Sequence, residues 1–73
     1  MSYTHRAPDL RFLPAGKWVP IAYRSRDEAT WVEVLGAPLS IPVAHKLEHD
    51  DLIYMATRPE ATAFALCVRR RVA

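Results

Sequence analysis

The run ATAFALCVRR at residues 61–70 decides the fold of this chain, because it reads in two ways. As a strand it places Phe64, Leu66 and Val68 on one face and Ala63, Ala65 and Cys67 on the other, with Pro59 and Glu60 in the preceding turn. As a helix it follows a capping box at Thr57 to Glu60, keeps Ala61, Phe64, Ala65 and Val68 at helical spacing, and sets arginines at the negative end of the dipole. The strand is favoured and the helix stays open. Immediately upstream, LIYMATR at 52–58 is rich in β-formers and bounded by Asp50, Asp51 and Pro59, which fits a strand.

Working outward, SIPVAHKLEHDD at 40–51 predicts a short helix: Ser40 can cap, Pro42 is tolerated in the first turn, and Val43, Ala44 and Leu47 make one apolar stripe. KWVPIAYR at 17–24 alternates and predicts a strand. Pro20 lacks an N–H and is tolerated only at an edge or a bulge, so that strand is expected at the outside of its sheet. Residues 25–35 are ambiguous: Ser25 to Glu28 spells a capping box, whereas Thr30, Val32 and Val34 favour a strand, which is preferred. Residues 1–16 contain Pro8 and Pro14, end on Gly16 and show no periodicity. They read as an arm, packed along the domain or received by a partner. The expectation is a small single α+β domain over 17–73, with a few-stranded antiparallel sheet, one short helix and an irregular N-terminal arm over 1–16.

The chain has 73 residues, which leaves room for one compact domain and none for a second. Its apolar share is 51%, but 11 of those residues are alanine, so the set of large core-formers is modest and a partner could share the burial. No window approaches the roughly 18–20 unbroken apolar residues of a membrane span, and the opening MSYTHRAPDLRF lacks the apolar core of a secretory signal. A lone Cys67 can form no internal disulfide and fits a reducing compartment. The expectation is a soluble, cytoplasmic monomer with no membrane partner.

Few constellations carry chemistry. His45-Lys46-Leu47-Glu48-His49 matches the inverted zinc-peptidase pattern H-x-x-E-H, and on a helix the two histidines share a face. A working zinc site also needs a third protein ligand, an open position and a cleft, and Glu60 is the sole later glutamate. Solvent-facing histidines are the better reading, so no metal site and no cofactor are expected. Glu48, Asp50 and Asp51 lack the glycine and spacing of a calcium loop and read as a solvated helix end. There is no G-x-S-x-G and no phosphate-cradling glycine loop, and Cys67 lies in an apolar run that suggests burial. No catalytic residue is assigned. Trp18, Trp31, Tyr23, Tyr54 and Phe64 are core candidates before they are ligand platforms.

Charge is segregated along the chain. Residues 1–26 carry a net +4, residues 27–51 a net −5 and residues 52–73 a net +3, which together hide behind a formal +2. Blocks of this kind either pair across the fold or form a two-signed surface that orients a charged partner. Two classes of function survive. One is a small adaptor or inhibitor that docks on a larger protein through Tyr3, His5, Arg6, Leu10, Arg11 and Phe12 of the arm together with Arg24 and Arg26. The other is an autonomous nucleic-acid module using the basic N-terminal part, Arg58 and the triplet Arg69, Arg70 and Arg71. The acidic middle weighs against the second, and the triplet is better placed near nucleic acid that another protein presents.

The whole chain, from MSYTHRAPDLRFLP to CVRRRVA, resembles the small RNA-polymerase-binding transcription regulators of lytic phages that infect Xanthomonas. The likeness is one of overall sequence and length, without a diagnostic motif, so no residue role is carried over. It implies a non-enzymatic protein that engages the two large subunits of host polymerase near the RNA exit channel. It also implies displacement of the sigma factor, block of initiation, readthrough of terminators, and nucleic-acid contact only within the polymerase complex.

Overall fold

In a computed structural model, residues 9–71 of the chain are described. The elements in chain order are β1 (Val19–Ser25), β2 (Val32–Glu33), α1 (Ile41–His49), β3 (Ile53–Pro59) and β4 (Ala63–Arg70). The four strands form one antiparallel sheet in the order β2-β1-β4-β3, with the helix on one face, a small α+β domain.

The deciding run is a strand. β4 lies at the centre and pairs with β3 from Ile53↔Arg70 to Pro59↔Phe64 and with β1 from Val19↔Val68 to Ser25↔Ala63. Neighbours on both sides pair both hydrogen-bonding edges of β4, and at its middle side chains on both faces are buried: Ala65, Leu66, Cys67 and Val68. The hairpin to β3 turns after Pro59, which ends its strand, and Glu60 N–H donates to the Ala63 carbonyl at 2.8 Å.

α1 starts where the sequence places it. Ser40 accepts a hydrogen bond from the Val43 N–H at 3.3 Å, Pro42 occupies the first turn, and the Glu33 carboxylate accepts from the Ile41 N–H at 3.3 Å. These satisfy amides that the first helical turn leaves without intrahelical partners. At the other end Asp51 adopts φ 61°, its N–H donates to Glu48, and the Leu52 N–H reaches back to Leu47 at 2.9 Å. This is a Schellman closure with aspartate in the left-handed position that glycine usually takes. Ala44 and Leu47 are buried as expected, but Val43 is exposed: the helix is only nine residues long and presents a narrow stripe to the sheet.

Two other expectations are corrected. β1 is not an edge strand, because β2 pairs with it at Ala22↔Glu33 and Tyr23↔Val32. Pro20 is accommodated by a register shift between Pro20 and Ala22, a bulge that relieves the missing ladder donor. Residues 25–35 give a strand of two residues only, and the apparent capping box at Ser25 becomes a turn in which Glu28 N–H donates to the Ser25 carbonyl. The described part of the arm is irregular and takes the packed one of the two dispositions expected for it: Leu10 and Leu13 are core residues, Leu13 N–H closes a turn onto Leu10, and Ala15 bridges Arg70.

The core lies between the sheet and α1. Leu10, Leu13, Ile21, Ala22, Leu39, Ala44, Leu47, Ile53, Leu66 and Val68 form one cluster, with Val19, Trp31, Ile41, Leu52 and Met55 packed around it. No helix among the described residues is long and apolar enough to cross a membrane.

Candidate functional site

Register fixes which side chains share a face, since directly opposed residues in a ladder point the same way. Ile53, Met55, Leu66, Val68, Val19 and Ala22 point to the helix side. Tyr54, Ala56, Arg58, Ala65, Cys67, Arg69, Pro20, Tyr23 and Val32 take the other side, which no helix covers. None of these strand positions is acidic.

Large planar side chains close that second face. The Arg69 guanidinium lies 5.0 Å from the Trp18 ring centroid and 5.4 Å from that of Tyr54. Arg58 stands 5.8 Å from Trp18 on one side, and Arg71 stands 4.7 Å from Tyr54 on the other. The order across the face is therefore Arg71, Tyr54, Arg69, Trp18, Arg58, cations and rings in alternation. Beneath this ladder Ala65 and Cys67 are 1% and 5% exposed without any covering element. Burial pushes the Cys67 thiol above its usual value, against the opposing charge of nearby Arg58.

The arginine triplet does not act as one patch. Alternation sends Arg70 to the helix side opposite Ile53, where its charge reaches Asp9, while Arg69 stays on the open face. Arg71, just past β4, approaches the Asp51 carboxylate at 3.6 Å. Arg58 and Trp18 are the parts of this ladder that a contiguous run of basic residues could not signal; an alternating strand register, once known, places Arg58 beside Ala65.

Arg24 and Arg26 are engaged within the chain. Arg24 lies 5.1 Å from Trp31 and 4.6 Å from Phe64 and donates to the Glu28 carbonyl at 2.8 Å. Arg26 lies 4.9 Å from Phe64 and donates to the Glu60 carbonyl at 2.6 Å. Arg26 therefore ties the loop after β1 to the β3–β4 turn, and Arg24 ties β1 to that same loop and to Phe64 of β4. Of the arm residues expected at a docking surface, Leu10 is corrected to the core, whereas Arg11 and Phe12 are exposed. Asp9 holds Arg11 through two side-chain bonds of 3.0 and 2.9 Å; these bonds, with one from the Arg11 amide, put the Asp9 carboxyl below its ordinary range. Tyr3, His5 and Arg6 lie outside the described residues.

Sequence reasoning missed Leu35. It is fully exposed at the tip of a turn closed by Ala37 N–H to the Val34 carbonyl, with Gly36 at φ 76° in the third position that requires a left-handed residue. Beside it, Val32 is also exposed. The two mark the outer end of the sheet, where β2 covers only part of β1 and leaves a pairing edge.

His45 and His49 are both exposed on α1, and no group of three or more His, Cys, Asp or Glu side chains among the described residues could hold a metal ion. Lys46 pairs with Asp50 at 3.2 Å, so the acidic stretch after the helix is engaged with cations of this chain. A shallow concavity of about 420 Å³ is lined by Tyr23, Arg24, Ser25, Glu28, Thr30, Val32 and Ala63. Its lining holds one carboxylate, Glu28, with the hydroxyls of Tyr23, Ser25 and Thr30 and no histidine. Comparison with protein-family models, with curated proteins and with solved structures returns no match.

Proposed function

We propose that the chain performs no chemistry and acts in the host bacterial cytoplasm as a phage regulator that docks on the large subunits of RNA polymerase. It displaces the sigma factor, blocks initiation and favours readthrough of terminators. The likeness of the whole chain to such regulators names the polymerase. The observation that supports docking is the fully exposed Leu35 beside exposed Val32 at an incompletely paired sheet edge. A large aliphatic side chain with no intramolecular neighbour contributes nothing to folding and becomes useful when a partner buries it. Phe12, 55% exposed next to Arg11, offers a second apolar and cationic patch.

Competition is the simplest mechanism. A ligand that binds sigma-free enzyme more tightly than holoenzyme shifts that equilibrium by its differential affinity and by no more. In purified transcription, saturating protein should lower promoter-dependent initiation and sigma retention together. Leu35→Asp should keep the fold, because nothing packs on that side chain, and weaken core-polymerase binding by about tenfold or more, as hot-spot residues do. Unchanged initiation and sigma retention, with no binding to core enzyme, would overturn the proposal.

A further inference from the structure

We infer that the open face of the sheet is a stacking platform for single-stranded RNA, with Trp18 and Tyr54 taking bases and Arg58, Arg69 and Arg71 taking phosphates. It stands on the sheet's own geometry and is tested on the free protein, so its failure leaves the polymerase proposal untouched.

Three observations carry it. The first is order: the Arg69 guanidinium sits between the two rings, at 5.0 Å from Trp18 and 5.4 Å from Tyr54, and a further arginine flanks each ring. Guanidinium planes and aromatic rings are the two surfaces on which unpaired bases stack. The second is charge. The strand positions of this face hold cations and no carboxylate; Asp51 meets the ladder at its rim, through Arg71 at 3.6 Å, and Glu28, beside Tyr23 and Val32, and Glu60, whose charge reaches Cys67, stand in the loops that border it. A face of that sign complements a polyanion.

The third is shape. A sheet face that is flat at Ala56, Ala65 and Cys67 projects no helix or ribbon into a groove, so a duplex offers it only backbone, whereas a single strand offers base faces and backbone together. RNA is favoured over DNA because Tyr23 and Tyr54 are exposed on this same face, and neither hydroxyl has a hydrogen-bond partner among the described residues. A phenol at the edge of a stacking platform is placed to meet a ribose 2′-hydroxyl.

Fluorescence anisotropy with a labelled 12-nucleotide oligouridylate tests this on the free full chain. Binding should weaken with salt at a log–log slope of about −2, the value for about three phosphate contacts on a single strand. Trp18→Ala and Tyr54→Leu should each lower affinity by about fivefold or more, the loss of one stacked base. Because Trp18→Ala could disturb β1, Arg69→Lys is the second probe: it keeps the charge, removes the planar group between the rings, and should weaken binding while circular dichroism stays unchanged. The matching duplex RNA and an oligodeoxythymidylate should both bind more weakly. Equal or tighter binding of duplex, or unchanged affinity in Arg69→Lys and Tyr54→Leu, would overturn the platform. Equal or tighter binding of the DNA strand would overturn the assignment to RNA.

Discussion

The two faces of one sheet are closed by different means. On the helix side, β4 presents Leu66 and Val68, and other elements come to cover them: α1 with Ala44 and Leu47, and the irregular segment with Leu10 and Leu13. On the other side the same strand presents Ala65 and Cys67, and the cover is made by Arg58, Arg69, Trp18 and Tyr54 reaching in from neighbouring positions. The alternation of large and small residues along β4 therefore does two jobs. Large residues fill a core, and small ones leave depth for guanidinium and ring planes to lie flat. A core closed by elements contributes stability through dry packing; a face closed by long polar side chains stays able to exchange its cover for a ligand.

The largest effect should come from the helix-side face. A domain of this size is held by only about 4–10 kcal/mol, and Leu→Ala at a fully buried site costs about 2–5 kcal/mol. Leu13 is 1% exposed although it lies outside every regular element. Leu13→Ala should therefore bring the urea midpoint down as far as Ile53→Ala does. A midpoint within experimental error of the parent would show that the segment from Asp9 to Gly16 is not a wall of the core, and would restore it as a free arm.

A smaller effect is expected on the open face. Arg69→Ala removes two cation–ring contacts, each worth about 0.5–1 kcal/mol at partly exposed sites, so the stability loss should be about 1 kcal/mol. A loss as large as that of Leu13→Ala would mean that the ladder is a second core. No loss at all would mean that the cations do not cover Ala65 and Cys67 in solution. Chemical denaturation of the two variants side by side distinguishes these outcomes.

The same contrast explains what could be read from sequence. β3 and α1 were legible because their signals are local: β-formers between flanking Asp and Pro, and Ser40 three positions before the amide it caps; β4 was legible only as the favoured of two readings, because Ala61, Phe64, Ala65 and Val68 also keep helical spacing. Leu10 and Leu13 were not, because a segment without periodicity carries no mark of which side chains the rest of the fold will bury. Pro20 misled because the edge rule has a second solution, the bulge, which depends on a partner strand the sequence does not name. The capping box at Ser25 failed because no apolar helical stripe follows it, and the chain closed a turn instead. As for the site, a contiguous Arg69, Arg70 and Arg71 looks like one patch in a string of letters, yet strand alternation separates Arg70 from its neighbours. The ladder that replaces the patch assembles residues from two strands, β3 and β4, with the residue before β1 and the residue after β4, which only the register brings together.

The smallest effect is a pH dependence beneath the open face. Cys67 is buried under the ladder, and that burial raises its thiol pKa; Arg58 opposes the shift and Glu60 adds to it. In the unfolded chain the thiol ionises near its free value of about 8.5. With the folded value above that, the native state keeps a proton that the unfolded state has lost, so the stabilising contribution is complete below about pH 8.5 and declines as pH rises through the folded value. Urea midpoints of the parent should fall more between pH 8 and pH 10 than those of Cys67→Ala, which lacks only the thiol. The same cover predicts kinetics: an aromatic disulfide reagent should react slowly with the native thiol and at the free-thiol rate in urea, and Arg69→Ala should speed the native reaction because it opens the lid without unfolding the domain. A native thiol that already reacts at the unfolded rate would show that the open face is wet, and the contrast between the two faces would then be one of composition alone.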